Sequence, residues 1–245
     1  MAIEVLPDEL AILVAAHLAA SSPDPMHDLR SLRRSCKWMY EVCKNKHVAK
    51  SIPVQRALER EVVAVAHYDR HYRDNIISNL AEAGNKEACF RDGLRIIFDV
   101  HRSELVSPLN NLESAAAKGH NLAAYTLAMC LHRRNGGVVD DAKAKELIRK
   151  LEGQDAPGAT VRQLWNNRAC VVARLQSADA AGTYDPPYID NWVPIAKLER
   201  GYAHIAGGYC SQLLEMVEHE EFTLFCSEYC RIRFECETFF NKYFW

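Results

Sequence analysis

Four residues near the end of the chain have types and a spacing that suit metal chemistry. Cys226 and Cys230 stand four apart, so on a helix both thiolates reach one ion, and Cys210 with His219 would complete a tetrahedral zinc site. The spacing is loose, there is no CxxC pair, and Cys226 falls on an apolar face, where a cysteine behaves as a small hydrophobe. The expectation is therefore no cofactor, with zinc on Cys210, His219, Cys226 and Cys230 as the alternative. Other chemistry lacks its sequence pattern: no phosphate- or dinucleotide-binding glycine loop, no GxSxG elbow and no HExxH. His67, His71, His101, His120 and His132 are scattered, and His219-Glu220-Glu221 has no second histidine at ligand spacing. This is the pattern of a protein that binds without catalysing.

Composition narrows the partners. In 245 residues the net charge is −2, which gives no electrostatic footprint for nucleic acid or an anionic membrane. The basic runs Arg30 to Lys37 and His132-Arg133-Arg134 are short and read as solvated helix faces. Ala11 to Ala20 is apolar, but His17 interrupts it and acidic residues precede it, unlike an export signal. No run approaches the roughly 20 apolar residues that span a bilayer. Nine cysteines at unequal spacings fit free thiols in a reducing compartment, so a cytoplasmic or nuclear location is expected.

The elements that must position any site are helices. Gly and Pro are few and strand-like alternation is nearly absent, so the fold class is all-α. Residues 1–55 read as three short helices. Pro7 suits a first turn, Asp8 and Glu9 face the positive end of the helix dipole, and Leu10, Val14 and Leu18 recur at a spacing of four. Ser21-Ser22-Pro23-Asp24-Pro25 ends that helix; Leu29 and Leu32 face inward from a second, and Cys36, Met39 and Cys43 lie on a third. So few residues cannot close a core alone, and apolar surface is left over for a partner.

Residues 56–176 contain an internal echo. Ala81-Glu82-Ala83-Gly84-Asn85, followed by Ala88, Phe90, Gly93 and Leu94, returns 35 residues later as Ala116-Ala117-Lys118-Gly119-His120, followed by Ala123, Tyr125, Ala128 and Met129. Small residues where helices approach, an aromatic in the groove and a glycine between helices are the pattern of helical-hairpin repeats. The second unit continues into Gly136-Gly137-Val138-Val139-Asp140-Asp141 and Lys143-Ala144-Lys145-Glu146-Leu147. Arg162 to Leu175 reads as another amphipathic helix, with Leu164, Val171, Val172 and Leu175 apolar. Residues 177–190, with Asp185-Pro186-Pro187, read as a loop. In 191–245, the last 24 residues hold nine aromatics, and Phe222, Phe225, Tyr229, Ile232, Cys236, Phe239 and Tyr243 share one helical face. That face is expected to pack over the repeat as a cap, leaving Phe244 and Trp245 accessible.

In order, these stretches resemble a family. LPDEL with SCK, then SIPVQR, then AEAGNKEACFRDGLRIIF with AAAKGHNLAAYTLAMCL, and FCSEYCRIRFECETFF resemble plant F-box proteins with a short Sel-like, tetratricopeptide-like region and a cysteine-bearing C-terminal segment. Relatives of that kind tend to carry an additional Cys-Gly pairing upstream of the tail; here only Cys210 stands there, followed by Ser211. The resemblance implies the substrate receptor of a Skp–cullin–F-box ubiquitin ligase. Its F-box docks a Skp-family adaptor, and through it the cullin and RING subunits, while the repeat region holds an unidentified protein target. The implied adaptor contacts are Leu6, Pro7, Leu10, Val14, Leu18, Leu29, Leu32 and Cys36, with Lys37 at the rim. The expected target-binding residues are Tyr125, His132, Arg133, Arg134, Trp165 and Trp245. The alternative is a scaffold that sequesters a partner without ubiquitination.

Overall fold

The computed structural model describes residues 6–58, 70–98, 106–134, 137–152, 166–173, 232–233 and 235–240. Among them the regular structure is helical and no strand occurs. The elements are α1 (Asp8–Ser21), α2 (Pro25–Ser35), α3 (Lys37–Val42), α4 (Lys46–Ser51), α5 (Arg70–Glu82), α6 (Lys86–Phe98), α7 (Val106–Ala117), α8 (Asn121–Arg134) and α9 (Val138–Glu152), with further helical segments at 54–58, 166–173 and 235–240. Two compact units result. The first comprises Met1–Ile97 with Arg102–His120, the second Phe98–His101 with Asn121–Trp245.

The N-terminal helices are delimited by local capping. Pro7 immediately precedes α1, with Asp8 and Glu9 in the first turn. The Asp24 side chain accepts from the His27 N–H ahead of α2, with Pro25 at the first helical position. Cys36 Sγ accepts from the Met39 N–H at α3, and Asn45 from the His47 N–H at α4. Helix α1 packs on α2, α3 and α4. Its buried side is a strip of small residues, Ala11, Ala15, Ala16 and Ala19, which lets neighbouring backbones come close. Met39, Val42, Val48 and Ile52 from α3, α4 and the residue after it belong to the same core, as does Leu29 of α2.

The first unit continues past residue 55 without a break in its bonding. The Arg56 guanidinium donates to the carbonyls of Ala20 and Ser22 at the end of α1. Asn85, buried between α5 and α6, donates through Nδ2 to the carbonyls of Ala49, Lys50 and Ile52 at 3.1, 3.2 and 2.8 Å. Its Oδ1 accepts from the N–H groups of Glu87 and Ala88 and so caps α6. One side chain thus closes the carbonyl end of α4 and the amide end of α6.

The 35-residue echo is visible in the backbone. Gly84 and Gly119 both have positive φ, +89° and +75°, the conformation that ends a helix at least cost when no Cβ is present. At each, the next residue's N–H reaches back five residues: Asn85 to the Leu80 carbonyl at 2.9 Å, His120 to the Ala115 carbonyl at 3.1 Å. The residues that follow are buried alike, Ala88 with Ala123, Phe90 with Tyr125 and Leu94 with Met129. Gly93 serves a different purpose. A Cβ there would lie 2.9 Å from Leu112 Cδ2 and 3.0 Å from its Cγ, so α6 meets α7 only because the side chain is missing. Gly93→Ala is expected to cost about 2 kcal/mol through this overpacking, net of a small gain in helix propensity, as measured by urea unfolding.

In the second unit α9 packs on α8, burying Ala144 and Ile148. Asp140 and Asp141 stand in the first turn of α9, after Gly137 at φ +85°. Val171 and Val172 of the 166–173 segment are buried as their spacing requires.

Candidate functional site

Large apolar side chains lie on the outside of α1. Leu6, Leu10, Leu13 and Val14 are 38%, 48%, 53% and 58% exposed, and the last three sit at i, i+3 and i+4 on one face. The alanine strip explains the inversion: the helix turns its small residues to the core and its large ones to solvent. Trp38 of α3 fixes the start of this face, its indole N–H donating to Asp8 Oδ1 at 2.7 Å. Three apolar side chains on one helix face, with Leu6 just ahead of it, form a patch of the kind that marks an interaction surface.

The residues expected to dock an adaptor divide. Leu10 and Val14 lie on the exposed face of α1, and Leu6 and Pro7 are exposed just ahead of its first turn. Leu18 and Leu32 are half-buried, and Leu32 packs on the core. Leu29 is 2% exposed and is part of the core, so it offers no surface. Cys36 and Lys37 are exposed at the corner between α2 and α3. Leu13 was missing from the expected set. The signal that identifies it is the alanine strip itself, which assigns the opposite face of α1 to solvent.

Of the residues expected to bind a target, the three whose side chains are described offer no surface. Tyr125, His132 and Arg133 are all buried in the second unit, because helical residues of the tail lie against α8. Tyr125 donates its hydroxyl to Glu235 Oε1 at 2.7 Å and meets the Phe239 ring edge-on, centroids 5.6 Å apart. Burial, reinforced by the Glu235 carboxylate, keeps the Tyr125 hydroxyl well above the usual tyrosine range and therefore a donor. Arg168 donates to the other Glu235 oxygen at 3.1 Å. The Arg133 guanidinium lies 4.1 Å from the centre of the Phe240 ring. The sequence showed aromatic and basic residues on a repeat helix; it did not show that aromatic and acidic residues about 110 positions later would cover them. The Arg134 side chain, Trp165 and Trp245 lie outside the described residues, as do Cys210, His219, Cys226 and Cys230.

Among the described residues no cluster of His, Cys, Asp or Glu is arranged to hold a metal, and no helix is long and apolar enough to cross a membrane. Cys130 and Cys236 are buried thiols. Burial pushes the first up to about 12 and the second higher still, which leaves both unreactive.

His132 gives the second unit a pH dependence. Burial lowers its imidazole below the usual value; Asp141, 3.5 Å away, pulls the other way and is outweighed, while Arg233 and Lys145 add to the lowering. A folded pKa below the unfolded value means the unfolded chain binds the proton first as pH falls. The contribution is complete above about 6.5, the unfolded value, and is lost progressively below it. Melting temperatures from pH 7.5 down to 5 are expected to fall more steeply for the wild type than for His132→Asn, which carries no proton to gain.

Residues 61–169 match the family model of plant tetratricopeptide repeats. That range covers α5 to α9 and both glycine turns of the 35-residue echo, and this part of the chain is a tetratricopeptide-like repeat region. No curated protein matches the chain, and no solved structure matches it.

Proposed function

We propose that the chain is the substrate receptor of a Skp–cullin–F-box ubiquitin ligase. The observation that supports the reading is the outward apolar face of α1, where Leu10 and Val14 are exposed, with Leu6 and Pro7 exposed just ahead of it. The tetratricopeptide-like region supports the other half, since repeats of this kind bind proteins. The receptor does no chemistry; it raises the local concentration of a target lysine beside a charged conjugating enzyme recruited through the cullin and RING subunits. On this reading the helical residues at 235–240 cap the repeat array by covering α8, the protein needs no cofactor, and it works in the cytoplasm or nucleus.

Leu6→Ala with Pro7→Ala should abolish capture of a recombinant plant Skp-family adaptor and leave the fold intact, because neither side chain belongs to the core. Adaptor capture that survives in the double variant would remove α1 from the interface. The repeat match also favours a second reading, a scaffold that holds a partner without ubiquitination. The two separate on partner abundance: a receptor lowers it and proteasome inhibition restores it, while a scaffold leaves it indifferent to both.

A further inference from the structure

Two lysines from distant parts of the first unit meet over one glycine. A Cβ on Gly84 would lie 3.2 Å from Lys118 Nζ and 3.2 Å from Lys50 Cε, so the missing side chain leaves the room in which both approach. Lys118, just past α7, donates to the Gly84 carbonyl at 3.0 Å and to Ser114 Oγ at 2.9 Å. Lys50 comes from the last turn of α4, and its carbonyl is held to the same turn by Asn85 Nδ2 at 3.2 Å. Both residues are exposed, and neither forms an ion pair with any described residue. The carboxylates on either side of the turn do not supply one. Glu87 is taken by Arg91 at 2.8 Å and His120 at 2.9 Å, and Glu82, exposed at the end of α5, pairs with neither lysine.

One ammonium on the Gly84 carbonyl is enough to complete the carbonyl end of α5. A second, with no carboxylate beside it, is repelled by the first, and an anion between the two removes that cost. We infer that this notch binds an acidic segment of the target protein, with an Asp or Glu carboxylate held between Lys50 and Lys118. Lys46, four residues before Lys50 on α4, and Lys86, two after Gly84, are exposed as well and add positive charge for a further acidic residue. Nucleic acid is the poorer fit, because a chain of net charge −2 opposes a polyanion that needs many phosphate contacts. The notch lies where the N-terminal helices join the tetratricopeptide-like region, and repeats of this kind bind proteins.

The inference rests on the target-binding half of the proposed function and does not involve adaptor docking at α1. The test uses the full chain and a fluorescein-labelled hexaglutamate peptide, with binding followed by anisotropy at low and high salt. Binding should weaken about tenfold when Lys50→Gln and Lys118→Gln are combined, and should fall as salt rises. Lys50→Gln alone leaves the Lys118 bonds to Gly84 and Ser114 in place, so it reads the notch without touching the end of α5, and should cost about threefold. Lys143→Gln with Lys150→Gln, on α9, should change nothing. Acetylation of Lys50 and Lys118 by acetic anhydride should slow when the peptide is bound. No binding by the wild type, or binding that the Lys50 and Lys118 variants leave unchanged, would overturn the inference while leaving adaptor capture to decide the receptor reading. Tighter capture of duplex DNA, lost in the same variants, would give the notch to phosphate and overturn it too. Peptide binding that depends on both lysines in a chain that captures no adaptor would remove the receptor reading and keep the notch, as the docking site of a scaffold's partner.

Discussion

Asn85→Ala is expected to lower the stability of the first unit by about 3 kcal/mol. The residue is 3% exposed, and its loss leaves two buried groups, the Ile52 carbonyl and the Ala88 N–H, without this partner. The buried Ile52 carbonyl loses its donor, the part-buried Ala49 and Lys50 carbonyls lose one bond each, Ala49 keeping that from the Ile52 N–H, and the N–H groups of Glu87 and Ala88 lose their acceptor. A lost N-cap alone costs about 1 kcal/mol, and a buried carbonyl left without a donor costs on the order of 1–3 kcal/mol. Chemical unfolding followed by circular dichroism measures the loss. Asn85→Asp separates the two roles: it keeps the acceptor for the α6 cap but loses the donor, and sets a carboxylate against three carbonyl oxygens. It is expected to be as damaging as alanine. If it proved benign, the bonds to α4 would be incidental to holding the N-terminal helices against the repeat.

Glu235→Ala should be the corresponding break in the second unit, costing roughly 3–5 kcal/mol. Glu235 is 4% exposed and accepts from both the Tyr125 hydroxyl and the Arg168 guanidinium. Removing the carboxylate takes from Arg168, itself largely buried, its countercharge at that position. Tyr125→Phe removes one hydrogen bond and leaves the ion pair, so it should cost about 1–2 kcal/mol. The ordering is the test. If the two variants were equally mild, the tail segment would not be held to α8 by this carboxylate, and Tyr125 would be an ordinary core aromatic.

How much of this was legible in the sequence differs from one element to the next. The glycine turns were legible because a helix terminus has a local chemical signature, and Gly84 and Gly119 carry it at a fixed spacing. The ends of α1 and α2 were legible for the same reason, through Pro7, Asp24 and Pro25. Facing was harder. Leu10, Val14 and Leu18 recur at helical spacing whichever way the helix points, and only Ala11, Ala15 and Ala19 on the other side say which face closes against α4. Hardest were contacts between residues far apart in the chain. Nothing near Tyr125 or Arg133 announces Glu235 or Phe240, so residues that looked available for a target are the inside of the second unit. Asn85 is a milder case: its position after a glycine marks a helix cap, while its three bonds to residues about 35 positions earlier depend on packing that no local pattern encodes.

The measurement closest to the central claim is co-expression of the full chain with a plant Skp-family adaptor, followed by affinity capture and size-exclusion chromatography. The account predicts a soluble one-to-one complex that disappears when Leu6 and Pro7 are both replaced by alanine, with the free double variant still folded. A folded wild-type monomer that elutes apart from the adaptor would contradict it, and would leave the apolar face of α1 to some partner outside any ubiquitin ligase.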